Sequence, residues 1–318
     1  MAVTLAQAKL NVQDDLQMGV IDEFAKSSFL FDNITFDDCV SPTGGGATLT
    51  YGYTRLITQP TADFRAVNTE YAPQEVTRQR YTTDLKVFGG SFQVDRVISN
   101  MGGIIDEVTL QMQQKIKAAA ALFNDTVING DSAVDVDSFD GLEKALTGSS
   151  TEYNTANAID LSTSALVTAN YVAFLDMLDE FLMGLDGTPS FIAGNTKLIA
   201  KLRAVARRAG MYMTKMNEFG QQVEYYGVVP FVDLGAKPGS NNPVVATDVG
   251  TGETSLYAAR LGLDGFHGIS LAGVAPVQTW LPDFKTAGAV KTGEVEMVAA
   301  VALKATKAAG VFRKIKVQ

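Results

Sequence analysis

The chain has 318 residues, of which 46% are hydrophobic and 19% are charged, and this length favours two folded lobes over a single core. The formal net charge of −9 argues against a protein that holds nucleic acid by neutralising phosphates, because that task needs a basic surface. The single cysteine, Cys39, excludes an intrachain disulfide and fits a reducing compartment; we expect a free, buried thiol there.

The sequence contains no targeting or membrane signal that we can identify. Residues 1–16 lack the basic start and apolar run of a secretory signal. The longest uncharged stretch, residues 265–282, is interrupted by Pro276 and several glycines, so no transmembrane helix is predicted there. We therefore expect a protein made in the cytoplasm.

The first predicted elements are a helix and a long hairpin. Apolar residues spaced by one or two turns predict a helix over 4–27, as an arm that packs either on its own core or on something else. Residues 47–57 alternate as a strand does, and a second alternating run follows at Leu85, Val87, Phe92 and Val94. These two runs predict a hairpin with a polar tip. Because a two-stranded hairpin is marginal in water, the subunit body or a neighbour must support it.

The clearest predicted element is a helix from Ile104 to Asn129. Its apolar stripe includes Val108, Met112, Ile116, Ala120 and Val127, with Phe123 filling it in. Asn129-Gly130 is a stop signal. At 1.5 Å per residue such a helix is roughly 40 Å long, which spans most of a domain.

The second half of the chain predicts a mixed lobe. A turn-rich segment at 131–160 precedes helices at 170–184 and 195–210, the latter with Asn195 as N-cap, and a strand at 190–193 lies between them. Strand patterns recur at residues 223–232, 243–247, 255–260, 274–279, 295–307 and 311–317.

A search for catalytic chemistry finds little. The only histidine, His267, precedes Gly268-Ile269-Ser270-Leu271-Ala272, which misses the last glycine of a nucleophile elbow and has the wrong order for that fold. A metal site built on several histidines is excluded, and Cys39 has no second cysteine with which to share zinc.

Three further patterns favour ordinary structural explanations. A calcium loop starting at Asp135 would place Phe139 and Leu146 where oxygen ligands are needed, so a solvated loop is expected. Residues 250–254 lack the lysine of a phosphate loop, and a hairpin turn is expected. A basic helix face is expected to be solvated, or alternatively to contact an acidic neighbour. Its members are Lys197, Lys201, Arg203, Arg207 and Arg208.

Several segments, in their order and spacing, resemble the major capsid proteins of tailed bacteriophages, which have the Hong Kong 97 fold. Residues 128–131 and 139–142 are similar to the loop that follows the spine helix of that family, and residues 191–203 to its strand-to-helix step in the axial domain. Residues 226–230 resemble the short strand motif that comes next, and residues 255–260 and 301–317 the last strands.

The resemblance covers nearly the whole chain and implies an α+β protein of the Hong Kong 97-like capsid fold. It implies an N-terminal arm at 1–40, an extended β-hairpin loop at 41–95, and a peripheral domain with the long spine helix at 96–150. An axial domain would follow at 151–284, and the closing strands of the peripheral domain at 285–318. Because the chain starts at the arm, any scaffold is expected to be a separate protein or already removed.

The resemblance implies a structural protein, not an enzyme, with no catalytic residues, no cofactor and no metal site. It implies self-assembly as hexamers and pentamers into an icosahedral head, made in the host bacterial cytoplasm. The head would enclose double-stranded DNA without sequence-specific binding. Partners would be further copies, a portal protein, and scaffolding and decoration proteins. The alternatives are an encapsulin-like nanocompartment with a protein cargo, and, in a different class, an acidic cytoplasmic α/β enzyme.

One expectation concerns covalent cross-linking. The phage that names the fold joins its subunits through an isopeptide bond from an extended-loop lysine to a neighbour's asparagine. The present chain has arginines in its extended loop and no lysine from Gly44 through Leu85, and Lys86 lies near the predicted base of the hairpin. Arginine stays protonated and cannot act as the amine nucleophile. We therefore expect noncovalent contacts alone.

Overall fold

The computed structural model describes residues 29–41, 48–100, 106–210, 213–216 and 222–318. The arm helix predicted at 4–27 lies outside these residues. The described helices are α1 (Phe29–Asn33), α2 (Arg96–Ser99), α3 (Glu107–Asn129), α4 (Leu142–Leu146), α5 (Ser164–Met183) and α6 (Thr196–Ala209), with a 3₁₀ turn at Thr306–Ala308.

The described strands run from the first residues after α1 to the end of the chain. They are β1 (Phe36–Val40), β2 (Thr50–Leu56), β3 (Arg78–Asp84), β4 (Lys86–Asp95), β5 (Glu152–Tyr153), β6 (Ile159–Asp160), β7 (Phe191–Gly194), β8 (Met213–Met216), β9 (Gln222–Tyr226), β10 (Val229–Asp233), β11 (Glu253–Ala259), β12 (Phe266–Leu271), β13 (Val277–Trp280), β14 (Val290–Leu303) and β15 (Ala309–Lys316).

Within the described residues these strands form three sheets. An eight-stranded sheet has the order β5-β15-β11-β7-β10-β9-β8, with β6 also paired to β15. A five-stranded sheet has the order β1-β12-β14-β13, and β4 pairs with the other edge of β14. The third sheet is the β2–β3 hairpin.

The eight-stranded sheet is buried on both faces, because alternate residues of its central strands enter two different cores. Ile192, Ala258 and Phe312 point into a core shared with α5 and α6. Their chain neighbours point into the core formed with α1, α3 and α4. These neighbours are Phe191, Ala193, Tyr257, Ala259 and Val311. This two-sided burial explains why the strands read as continuous apolar runs.

The long helix α3 forms as the sequence predicts. Asp106 caps its start, with Oδ2 accepting the Thr109 N–H at 3.0 Å, and the helix ends at Asn129. Its 23 residues span about 34 Å. The following loop closes through a hydrogen bond from the Gly141 N–H to the Gly130 carbonyl at 2.8 Å. A Cβ at Gly130 would lie 2.2 Å from the Phe139 carbonyl oxygen, so this turn requires glycine.

The hairpin prediction is correct in kind but wrong in its return strand. The strand that pairs with β2 is β3, with Tyr53 opposite Tyr81 and Leu56 opposite Arg78. The alternating run at 85–94, predicted as the return strand, instead forms β4 and pairs with β14 over ten residues. The pattern at 85–94 reflects half-burial, which it has in either sheet, so periodicity alone did not identify its partner.

The apolar stripe predicted on α3 is also partly wrong. Met112 and Val127 are buried, but the side chain of Ile116 is 37% exposed. Phe123, which the sequence places with this stripe, is also buried, and the buried face further includes Ala119 and Ile128, which were not predicted. Cys39, expected to be buried, is exposed on β1.

Other boundaries shift by a few residues. Helix α5 begins six residues earlier than predicted, at a Thr163 N-cap, and the predicted strand 223–232 is two antiparallel strands, β9 and β10. Residues 243–247 form only an isolated bridge. Strands β1 and β12 were not predicted.

Sheet pairing crosses the domain boundaries expected from the resemblance. Strand β15, which was assigned to the peripheral domain, pairs with β11, and β12 and β13, assigned to the axial domain, pair with β14. The division into domains stays a prediction.

Candidate assembly surfaces

The extended loop is a hairpin that continues beyond its two strands. The Ile57 N–H donates to the Thr77 carbonyl at 2.9 Å, and the Thr58 and Thr77 hydroxyls lie 2.7 Å apart. Further out, the Thr61 N–H donates to Gln74 Oε1 at 2.7 Å. The loop therefore keeps a hydrogen-bonded ladder well past the end of β2.

The tip of this loop has its own structure. A turn closes from the Thr69 N–H to the Ala66 carbonyl at 3.3 Å, with Asn68 at φ 68°, a conformation that asparagine tolerates. Arg65 donates to the Thr69 carbonyl at 3.1 Å, and its guanidinium lies 5.4 Å from the centre of the Tyr71 ring. The tip thus fixes the directions of the side chains that it presents.

Those side chains include exposed apolar groups. Every residue from Leu56 to Arg80 is exposed. Phe64 and Val67 are 106% and 87% exposed, and Leu56, Ile57, Tyr71 and Val76 are also exposed. Several large apolar side chains exposed on one projecting loop favour an interaction site, because apolar surface in contact with water costs free energy.

The base of the hairpin is held by Arg55. Its Nε donates to the Lys304 carbonyl at 2.8 Å, Nη1 donates to the Thr306 hydroxyl at 3.3 Å, and Nη2 donates to the Leu303 carbonyl. The guanidinium also lies 4.4 Å from the centre of the Tyr81 ring, a cation–π contact. One side chain therefore ties both hairpin strands to the chain that follows β14.

Two tyrosines of β2 complete the attachment. The Tyr53 hydroxyl donates to the Leu303 carbonyl at 3.1 Å, and the Tyr51 hydroxyl donates to Asp37 Oδ2 at 3.0 Å. Burial, and then the hydrogen bond to Asp37, raise the pKa of Tyr51. Tyr51 therefore stays a hydrogen-bond donor throughout the physiological range.

A cleft of about 500 Å³ lies between the base of the hairpin and the loop after α3. Its walls include Arg55, Tyr81, Lys86 and Lys144. The lysines are engaged within the subunit, since Lys86 Nζ donates to the Val136 carbonyl at 2.8 Å and Lys144 Nζ lies 2.7 Å from Asp131. Because both amines are already engaged, these lysines do not make the cleft a binding site for an anion.

The catalytic candidates are not brought together. His267 and Ser270 are buried, with exposures of 0% and 2%. They lie three residues apart on β12, so their side chains leave opposite faces of the sheet and cannot form a nucleophile–base pair.

The acidic and glycine-rich candidates form the loops that were expected. Asp131 and Asp140 are bridged by Lys144, which holds the pKa of each carboxyl below its usual value. In the described part of the chain, no group of three His, Cys, Asp or Glu residues is arranged to bind a metal ion. Residues 250–254 form a turn in which Asp248 accepts the Gly250 and Thr251 N–H groups at 2.8 and 2.7 Å.

The basic face of α6 is largely engaged within the subunit, an arrangement that was not predicted. Arg203 Nε lies 2.6 Å from Glu224, and Arg208 donates to the Ser164 hydroxyl at 2.8 Å. Lys201 donates to the Ser162 carbonyl.

None of the helices in the described ranges has the length and apolar character that crossing a membrane requires.

The extended loop and its anchor were only partly visible in the sequence. The polar, patternless stretch at 58–80 indicated an exposed loop. Nothing in the sequence identified Arg55, because its partners are backbone carbonyls about 250 positions away.

The chain was compared with protein-family models, curated protein sequences and solved structures. Neither protein-family models nor curated protein sequences match the chain. Solved structures match along almost its whole length. The chain is similar to the SrpI encapsulin of Synechococcus elongatus, with 16% identity, a TM-score of 0.66, and coverage of 100% of this chain and 98% of that one.

Two capsid structures match in the same way. The capsid of Myoviridae phage XM1 has 12% identity, a TM-score of 0.59 and coverage of 99% of both chains. The capsid of the native GTA particle has 11% identity, a TM-score of 0.61 and 99% coverage of both chains. The chain therefore has the Hong Kong 97 fold, as predicted from the order of its segments.

Proposed function

We propose that this chain is a structural shell subunit rather than an enzyme, and that it self-assembles as hexamers and pentamers into an icosahedral particle. The observation that carries the proposal is the run of 25 exposed residues from Leu56 to Arg80. Their apolar side chains have no core of their own, and a two-stranded hairpin is marginal when isolated. A neighbouring copy that receives the loop would bury this surface at every interface.

We further propose that the particle is a bacteriophage head that encloses double-stranded DNA. Two features support this: the similarity to the XM1 and GTA capsids, and the phage-like order of local segments. The net charge of −9 is compatible with it, because an acidic wall repels DNA and does not bind it tightly. The particle would assemble in the host bacterial cytoplasm with a portal protein, and with scaffolding and decoration proteins where these are used. A nanocompartment with a protein cargo is the second candidate, favoured by the similarity to the SrpI encapsulin.

Assembly can be tested with two matched double variants. Phe64 and Val67 lie in the loop, while Val134 and Val136 are comparably exposed, at 86% and 75%, on the loop after α3. Changing Phe64 and Val67 to serine is expected to leave a folded subunit that no longer forms shells. The same change at Val134 and Val136 is expected to leave shells intact. Sedimentation and negative-stain microscopy measure both. Normal shells from the first variant would contradict the role of the loop.

The contents of purified native particles separate the two candidates. Nuclease-protected DNA with an absorbance ratio typical of nucleic acid is the expected result. Particles that hold one co-purifying protein and no protected DNA would instead support the nanocompartment. A homogeneous monomer in assembly reactions would overturn both proposals.

A further inference from the structure

His267, the only histidine in the chain, lies at the junction between the hairpin and the body of the subunit. It belongs to β12, an interior strand of the five-stranded sheet with β1 on one side and β14 on the other. Its side chain is 0% exposed. Backbone ladders hold β12 on both edges, so this imidazole cannot reach water by a movement of its own strand.

Three groups that can carry charge act on this ring. Tyr51 of β2 contacts it edge-on, with ring centroids 5.8 Å apart. Asp37 comes from β1, and Lys304 follows β14. Asp37 is already engaged, because it accepts the Tyr51 hydroxyl at 3.0 Å and lies 3.7 Å from Lys304 Nζ.

No described residue forms a normal hydrogen bond with either ring nitrogen of His267. Burial lowers the pKa of the imidazole, and the positive charge of Lys304 lowers it further. Asp37 and the backbone of Gly265 act in the opposite direction with smaller effect. The ring is therefore neutral at pH 7, and a proton added to it would be a buried charge without an adequate partner.

We propose that His267 is an acid-sensitive latch whose protonation releases the extended hairpin from the body of the subunit. Of the elements that enclose His267, the hairpin is the one that can move. It is attached to the body of the subunit by side-chain hydrogen bonds, from the Tyr51 and Tyr53 hydroxyls and the Arg55 guanidinium. The other walls are strands of the sheet. Displacement of Tyr51 would admit water to the imidazolium without breaking the backbone ladder of β12.

The direction of the pH effect follows from the depressed pKa. The docked hairpin binds fewer protons than the released one, whose His267 returns to an ordinary pKa of about 6.5. Docking is therefore complete above about pH 6.5. It weakens as the pH falls below that value, by up to about tenfold per pH unit, until the depressed pKa is reached.

The test is hydrogen exchange of the full chain between pH 7.5 and 4.5, corrected for intrinsic exchange rates. Protection of residues 50–56 and 78–84 is expected to fall by up to about tenfold per unit below pH 6.5, while β15 stays protected. His267→Phe keeps an aromatic ring but cannot titrate, and is expected to abolish this slope. Tyr51→Phe is the control: it lowers protection at all pH values and keeps the slope.

The single histidine also allows a measurement that needs no variant. Its NMR signal in the wild-type chain is expected to titrate below pH 6.5 together with the loss of hairpin protection. A histidine pKa of 6.5 or above, or a slope unchanged in His267→Phe, would overturn the latch. The inference concerns one subunit, so failure of the shell proposal leaves it intact.

Discussion

The attachment of the hairpin through Arg55 gives the most direct test of how the structure holds its extended loop. Arg55→Ala removes the hydrogen bonds to the Lys304 carbonyl, the Leu303 carbonyl and the Thr306 hydroxyl. It also removes the cation–π contact with Tyr81. The global fold is expected to survive, since the two main cores contain no hairpin residue.

The size of the effect can be worked out from these contacts. A hydrogen bond to a charged group contributes about 1.5–3 kcal/mol, and a partly exposed cation–π contact about 0.5–1 kcal/mol. The contacts share one half-exposed side chain and are not additive, so we expect about 2–4 kcal/mol in total for docking of the hairpin. This corresponds to roughly a 30- to 1,000-fold loss of protection from hydrogen exchange at residues 50–56.

Two substitutions make this result specific. Arg55→Lys keeps the charge but loses the planar fork, so it is expected to recover little of the protection. Arg80→Ala changes an exposed arginine on the paired strand and is expected to have little effect. Protection in Arg55→Ala equal to wild type, or full recovery by lysine, would refute the assigned anchor.

Three further predictions test other parts of the structure. Phe312→Ala removes a fully buried ring whose centroid lies 5.0 Å from that of Tyr153, so the free energy of unfolding measured by denaturant should fall by about 3–5 kcal/mol. As a control, Val249→Ala at a residue 93% exposed should change it by less than about 0.5 kcal/mol. Deletion of residues 60–79 should leave the circular dichroism of the subunit unchanged and yield no closed shells in micrographs; normal shells would contradict it. Particles boiled in detergent and reductant should run as one band near 33.9 kDa, because the amine of Lys86 is engaged with the Val136 carbonyl of its own chain; a surviving ladder of pentamer and hexamer bands would count against this.

The features that the sequence predicted well depend on local physics. Helix α3 ends at Asn129, and the next residue must be glycine because a Cβ at position 130 would lie 2.2 Å from the Phe139 carbonyl oxygen. Asn195 caps α6, its Oδ1 accepting the Leu198 N–H at 2.8 Å. Its amide also donates to the Thr254 hydroxyl at 3.0 Å, a long-range contact that the cap signal did not reveal.

The errors arose where a local pattern has more than one long-range solution. Alternation at 85–94 shows that one face is buried, but it is the same whether the strand pairs with β2 or with β14. The stripe predicted on α3 was only partly right: Phe123 and Val127 are fully buried as expected, but Ile116 is 37% exposed and the buried Ala119 and Ile128 were not predicted. The exposure of Cys39 was not predicted, because β1, the strand on which it lies, has no clear alternating pattern in the sequence.

The extended loop shows the limit of single-chain reasoning most clearly. Its polar composition predicts exposure, and the structure confirms exposure for every residue from Leu56 to Arg80. Yet Phe64 and Val67 are not explained by polarity, and Arg55 fixes the hairpin through backbone carbonyls, which carry no residue-specific signature. A side chain that binds backbone can be recognised only once the fold brings the two together. The proposed contact with a second copy of the chain would explain why the anchored hairpin exposes these apolar groups.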